Sequence, residues 1–215
     1  MCAIIGSKNI DTLRELVALN SYRGSHSYSF SLYNITTGIL TVEVKKLGTI
    51  DLTRHIIPHN NYGIVHVQAP TTEMRSEQSI HPAVITEKYQ TWPNKALWHN
   101  GIIKAEVVKG KAAKYNTSWD TMQMLESVRT SFDELNEFDG TFSCLYYDRD
   151  DLSLNLFRNE ISPMYLDHEL NISSTKFEGS IETTPNVVSK IDFNRNRLIA
   201  KAKFETVENP YYFGE

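Results

Sequence analysis

The spacing of hydrophobic positions changes several times along the chain, and each change marks an element. Residues 3–5 (Ala-Ile-Ile) are an apolar run closed by Gly6, which reads as a short buried strand. Leu13, Leu16, Val17 and Asn20 follow at helical spacing, with Asp11 or Thr12 placed to cap that helix. Tyr28, Phe30 and Leu32 alternate with polar neighbours, as do Leu40, Val42 and Val44, and residues 34–38 between them read as a hairpin turn. Residues 62–67 form a further strand, and residues 68–82 a polar loop with little periodicity. The next strand, residues 95–99, ends at Asn100-Gly101, a strong turn dipeptide. Residues 102–114 and 118–130 are predicted helices, with Met122, Leu125 and Val128 on one face of the second. From residue 141 onward the pattern predicts strands over 141–147, 152–157, 164–167, 171–174 and 198–207. Asp148, Asp150 and Asp151 supply the turn between the first two.

Strands open this order, two helices occupy the middle and hairpins dominate the end. It predicts an α+β fold of antiparallel sheets with helices packed on their faces, rather than a parallel βαβ sheet. No repeat, low-complexity tract or linker interrupts it. A chain of 215 residues can bury roughly 70% of the surface its unfolded form exposes, so one domain over residues 1–215 is expected.

Composition narrows the function. With 40% hydrophobic and 22% charged residues, a net charge of −4 and scattered lysines and arginines, direct nucleic-acid binding is not expected. No apolar stretch approaches the roughly 20 residues needed to cross a bilayer, so no membrane contact is expected. The opening apolar run is too short for a signal peptide and lacks a basic leader, which predicts a cytoplasmic, reducing setting. Cys2 and Cys144 alone give no disulfide framework, and the seven histidines lack metal-ligand spacing. Neither a metal nor another cofactor is expected.

Two sites could carry chemistry. Aminopeptidases remove an initiator methionine when the next side chain is small, so Cys2 can become the first residue, bearing a thiol and a free α-amine together. The amine has a reference pKa of about 7.7–8.0 and can serve a thiol whose reference is about 8.5 as its base. Read blandly, a small apolar residue opens a buried strand. At Asn100-Gly101, a side-chain amide beside an unhindered backbone N–H can form an oxyanion hole, and the same dipeptide is equally a plain turn. His66 and His99 read as core residues rather than acids or bases, and Cys144 reads as core.

Taken in order, these segments resemble class II glutamine amidotransferases. Met1-Cys-Ala-Ile-Ile-Gly6 is similar to the family's opening, and Leu19-Asn-Ser-Tyr-Arg-Gly24 to its Arg-Gly segment after the first helix. Gly63-Ile-Val-His66, then Thr71 and His81-Pro82, resemble the approach to its glutamine-binding loop. Leu97-Trp-His-Asn-Gly-Ile-Ile103 is close to its His-Asn-Gly motif, and Trp119-Asp-Thr121 resembles its Ser-Asp-Thr-Glu element. Phe138-Asp-Gly-Thr-Phe142 and Leu156-Phe-Arg-Asn-Glu-Ile-Ser-Pro-Met-Tyr165 match later strand motifs. The resemblance covers residues 2 to about 178.

It implies a four-layer αββα sandwich of the N-terminal-nucleophile hydrolase kind. Cys2 is then the nucleophile that attacks the glutamine side-chain amide. Ammonia leaves, and a glutamyl thioester is hydrolysed to glutamate. Asn100 and Gly101 would stabilise the oxyanion, Asp120 would hold the α-ammonium group, Arg23 would position the nucleophile's end of the site, and Thr71 would belong to the loop closing over glutamine. Asp120 as a helix cap and Arg23 as a surface arginine beside a turn remain open readings.

One position departs from the pattern. The family's arginine, two residues after the histidine matched by His66, clamps the glutamine carboxylate; Gln68 stands there, followed by Ala69. A neutral amide makes no charge-assisted bidentate pair with a carboxylate. Arg75, seven residues on, could supply the charge, the substrate could lack that carboxylate, or the domain could serve interaction rather than catalysis. The presence of Cys2, Asn100, Gly101 and Asp120 favours Arg75. No acceptor-binding domain fits beside the resemblance, so a separate ammonia-accepting synthase is the expected partner, with the aromatic tail 209–213 as one place for it to dock.

Overall fold

The computed structural model describes residues 2–69 and 79–207. Thr71, Arg75 and the tail 209–213 lie outside the described residues.

The chain opens with β1 (Ala3–Ser7), which runs through Gly6 instead of stopping there. Helix α1 (Ile10–Leu19) is capped by Asn9, whose side chain accepts from the amides of Asp11 and Thr12. The cap thus lies two residues earlier than the pattern suggests, on the residue type best suited to it. Strands β2 (Ser27–Asn34) and β3 (Leu40–Leu47) form the expected hairpin, and β4 (Asn61–Gln68) pairs with β2 and β1.

After β5 (Ala83–Ile85), the strand predicted to end at His99 continues as β6 (Lys95–Ile103). The turn expected at Asn100-Gly101 is not formed: β7 (Gly140–Asp148) pairs along the whole of β6, placing Asn100 opposite Ser143 and Gly101 opposite Phe142. Because Ile102 and Ile103 complete that strand, α2 starts late and spans Ala105–Tyr115. Helix α3 (Asp120–Val128) lies inside its predicted span. The chain ends through β8 (Ser153–Arg158), the two-residue strands β9 (Tyr165–Leu166), β10 (Ile172–Ser173) and β11 (Ile181–Glu182), and the hairpin β12 (Val187–Asp192) with β13 (Arg197–Lys203). The pattern did not mark β5, β11 or β12.

Among the described residues these strands make two antiparallel sheets, in the orders β11-β9-β10-β1-β4-β2-β3 and β13-β12-β8-β7-β6-β5. Period-two alternation assigns every inward residue to one of two faces. Ile4, Tyr62, Ile64, Ala96, Trp98, Leu145 and Tyr147 fill the layer between the sheets. Their neighbours Ala3, Ile5, Val65 and Val67 pack outward under Leu13 and Leu16 of α1. On the far side, Leu97, Phe142, Cys144 and Tyr146 pack against Met124, Leu125 and Val128 of α3. The fold is the expected four-layer α+β sandwich, and each fully buried aromatic or aliphatic side chain contributes about 2 kcal/mol to it.

Candidate active site

Cys2 directly precedes β1 and is 8% exposed. Its thiol points at the backbone oxygen of Ala69, with Sγ 3.7 Å away. Burial pushes the thiol pKa up, the nearby Asp120 carboxylate adds to that, and the Arg23 guanidinium opposes it.

Arg23 is brought there by backbone packing. A Cβ on Gly24 would lie 2.4 Å from the carbonyl carbon of Gln68, so only glycine lets this segment lie flat on the end of β4. Arg23 then reaches inward: Nη1 donates to the Cys2 carbonyl at 3.3 Å and Nε to Thr175 Oγ1 at 3.0 Å. Arg23 is half-buried and braces the Cys2 backbone rather than lying free beside a turn.

Asn100 and Gly101 face the site because β6 does not turn. The Asn100 side chain points between the sheets, on the same face as Trp98, and is 6% exposed. Its Nδ2 lies 3.3 Å from Ser174 Oγ and 3.4 Å from Ser143 Oγ. Ser174 Oγ also accepts the Ile4 amide at 3.0 Å, joining this side chain to β1. Gly101 has φ +155°, and a Cβ there would meet the Thr141 carbonyl oxygen at 1.8 Å. Opposite it, Phe142 gives both backbone groups to Asn159: its oxygen accepts from Asn159 N at 3.0 Å and its amide donates to Asn159 Oδ1 at 3.3 Å. Gly101 and Phe142 therefore form a non-hydrogen-bonded pair, in which the Gly101 amide turns away from β7.

Asp120 is the first residue of α3 and is 19% exposed along its side chain. It stands one residue inside the N-cap, Trp119, and Oδ1 accepts from the Thr121 amide at 2.7 Å, where the positive end of the helix favours a carboxylate. Oδ2 lies 3.8 Å from His99 Nδ1. Asp120 is thus a helix-start carboxylate that also bears on Cys2.

Behind these residues stand three histidines. The His66 and His81 rings stack at 4.0 Å, and the His81 edge meets Trp119 at 5.6 Å. His66 Nε2 donates to the His99 carbonyl at 3.1 Å, and His81 Nδ1 accepts the His99 amide at 3.2 Å. Burial pulls His66 down to about 3 and His81 well below the ordinary imidazole range, so both are neutral. His66 reads as core, as expected.

Gln68 is buried at the end of β4, where its Oε1 accepts from Ser27 Oγ at 3.2 Å. It carries no charge into the site. The structure joins Arg23 to the Cys2 backbone, sets the Asp120 charge near its thiol and links Asn100 to the Cys2 strand through Ser174, with Gly101 next along β6 and Gln68 at the end of β4; Thr71 and Arg75 are not described.

No family model matches the sequence, and no curated protein matches it. Among solved structures, the chain is similar to a glutamine phosphoribosylpyrophosphate (PRPP) amidotransferase from B. subtilis in complex with ADP and GMP. The TM-score is 0.70 at 14% identity. The match covers 94% of this chain and 49% of that one, so the chain spans about half the length of that protein. The chain shares the fold of the matched half of that protein.

Sequence reasoning missed Ser143, Ser162 and Ser174 around Asn100. Ser162 Oγ donates to the Asn100 carbonyl at 3.2 Å, from a loop tied down by Asn159 Oδ1, which accepts the Ile161 and Ser162 amides at 3.3 Å each. Small hydroxyl residues at inward positions of β7 and just after β10 were the available signal. Among the described residues no helix is long and apolar enough to cross a membrane.

Proposed function

We propose that this chain is a single glutaminase domain in which Cys2, freed of Met1, attacks the side-chain amide of L-glutamine. The reading is carried by the meeting of an N-terminal cysteine, an Asn-Gly pair on one strand and a helix-start aspartate, on a fold shared with a glutamine amidotransferase.

Burial and the Asp120 charge both keep the Cys2 thiol protonated, so the sulfur needs a base close at hand. The α-amine of a processed Cys2 sits on the same residue. It takes the thiol proton as sulfur bonds to the amide carbon, and the negative charge passes to the former carbonyl oxygen. Asn100 Nδ2 and the Gly101 amide stabilise that oxyanion. As the C–N bond breaks, the ammonium returns the proton to nitrogen, and ammonia departs. Water then attacks the thioester, releasing glutamate and restoring the thiol. Asp120 holds the substrate's α-ammonium group, and Arg23 fixes the Cys2 backbone. Thr71 and Arg75, which follow β4 in the sequence, contribute to substrate binding, Arg75 supplying the cation that Gln68 cannot. The ammonia passes to a synthase that consumes it.

Gln68 favours one second reading, an amide substrate with no carboxylate to clamp. Intact mass spectra before and after exposure to a diazo-ketone analogue of glutamine separate the two, with Cys2→Ala as control. Loss of Met1 and a single adduct that requires Cys2 and that excess glutamine suppresses support the glutaminase. A processed chain that takes no label, or takes label that glutamine does not suppress, points to the other amide or to a non-catalytic interaction domain.

A further inference from the structure

We propose that Ser174 is a positioning residue for Asn100: its hydroxyl holds the carboxamide by its oxygen and turns the NH2 group toward the cleft. The inference rests on the glutaminase reading, in which that NH2 group is an oxyanion donor.

The two contacts between the carboxamide and the serines, 3.3 Å to Ser174 Oγ and 3.4 Å to Ser143 Oγ, are long for N–H···O bonds. Ser174 has a proton to place. Its Oγ already accepts the Ile4 amide at 3.0 Å, and its backbone acceptor, the Ile4 carbonyl, lies at 3.5 Å. Ser143 differs: Ser162 Oγ gives its own proton to the Asn100 carbonyl and lies 3.3 Å from Ser143 Oγ, so the Ser143 proton has an acceptor in Ser162. The nearest acceptor for the Ser174 proton is the Asn100 carboxamide, at 3.3 Å. The oxygen and nitrogen of that group are almost identical in shape, and the bonding network decides their assignment. With the oxygen against Ser174, that proton is used and Nδ2 is turned away from it. Ser174 links this arrangement to β1, so the oxyanion donor and the Cys2 strand are held by one hydroxyl.

Side-chain amide NMR of 15N-labelled protein, with Asn100→Ser to assign the signal, tests this without requiring turnover. The Asn155 carboxamide, buried with its NH2 on the Tyr146 carbonyl and Ser153 Oγ, is the internal reference. The Asn100 NH2 is expected to exchange with water at least tenfold faster than that of Asn155, and Ser174→Ala is expected to shift its signal. Exchange as slow as that of Asn155, or a signal indifferent to Ser174→Ala, overturns the proposal. Where glutamine is hydrolysed, Ser174→Ala lowers kcat at least tenfold with KM within twofold, and lowers it less than twofold further in an Asn100→Ala background. A full additional loss in that background marks a merely structural serine and overturns the proposal. Should Ser174→Ala not fold, Ser174→Cys, whose thiol is a weak donor, provides the same readings. If wild-type protein hydrolyses no glutamine, the glutaminase reading fails, while the exchange measurement still decides how the carboxamide is held.

Discussion

Arg23 Nη1 and the carbonyl oxygen of Cys2 are 3.3 Å apart, a contact that closes a 21-residue stretch containing β1 and α1. The guanidinium both braces the Cys2 backbone and lowers the cost of forming the Cys2 thiolate. Arg23→Ala is expected to slow alkylation of Cys2 by iodoacetamide at pH 8 by about threefold or more. Arg23→Lys keeps the charge but not the planar fork that reaches Cys2 and Thr175 together, and should fall between the two. Equal alkylation rates in all three proteins would remove Arg23 from the site.

Glycine at 101 is set by space as well as by φ. Gly101→Ala places a methyl group 1.8 Å from the Thr141 carbonyl oxygen at φ +155°, so about 2 kcal/mol or more of stability should be lost in urea denaturation. Gly110, within α2, has no atom within 4 Å of an added Cβ, and Gly110→Ala should gain about 0.5–1 kcal/mol. Opposite behaviour at these two positions separates a crowded strand from an open helix.

The histidine stack predicts acid sensitivity. His66 and His81 are held neutral by burial, far below their unfolded value. An unfolded chain gains their protons below about pH 6.5 while the folded chain does not, so stability is full above that pH and falls as pH drops toward 3. Near pH 5 the loss is about 2 kcal/mol for each histidine. His66→Gln, which keeps a donor toward the His99 carbonyl, should flatten this slope in thermal melts between pH 7 and 5.

Carboxylate recognition gives the fourth test. If Arg75 stands in for the missing clamp, Arg75→Ala raises the KM for glutamine about tenfold to a hundredfold with kcat little changed. Adding Gln68→Arg to that variant should recover most of the loss. A KM untouched by Arg75→Ala would favour a substrate without that carboxylate.

Alternation placed β2 and β3, and an apolar run placed β1, which is buried on both faces. The Asn-Gly dipeptide misled: local turn preference at Asn100-Gly101 is overridden by the full-length ladder with β7, and Gly101 serves close approach rather than a bend. Asn9 was overlooked because the capping residue stands before any periodic position. The pattern marked β9 and β10 within longer predicted spans, whereas β5 and β11 carry too few residues to show a period. The Asn100 cradle was invisible because serines from β7, the loop after β8 and the segment after β10 meet only once the sheets are stacked.

The unbroken run of β6 through Asn100 also governs how this segment can change length. Insertion or deletion of one residue between Lys95 and Asn100 would exchange the faces of every later side chain in the strand. His99 would then enter the space between the sheets, and the carboxamide would be sent to the helices. Length variation is therefore excluded there. It is accommodated instead in the loop between Ile85 and Lys95, where residues can be added without altering which side of the sheet the chemistry occupies.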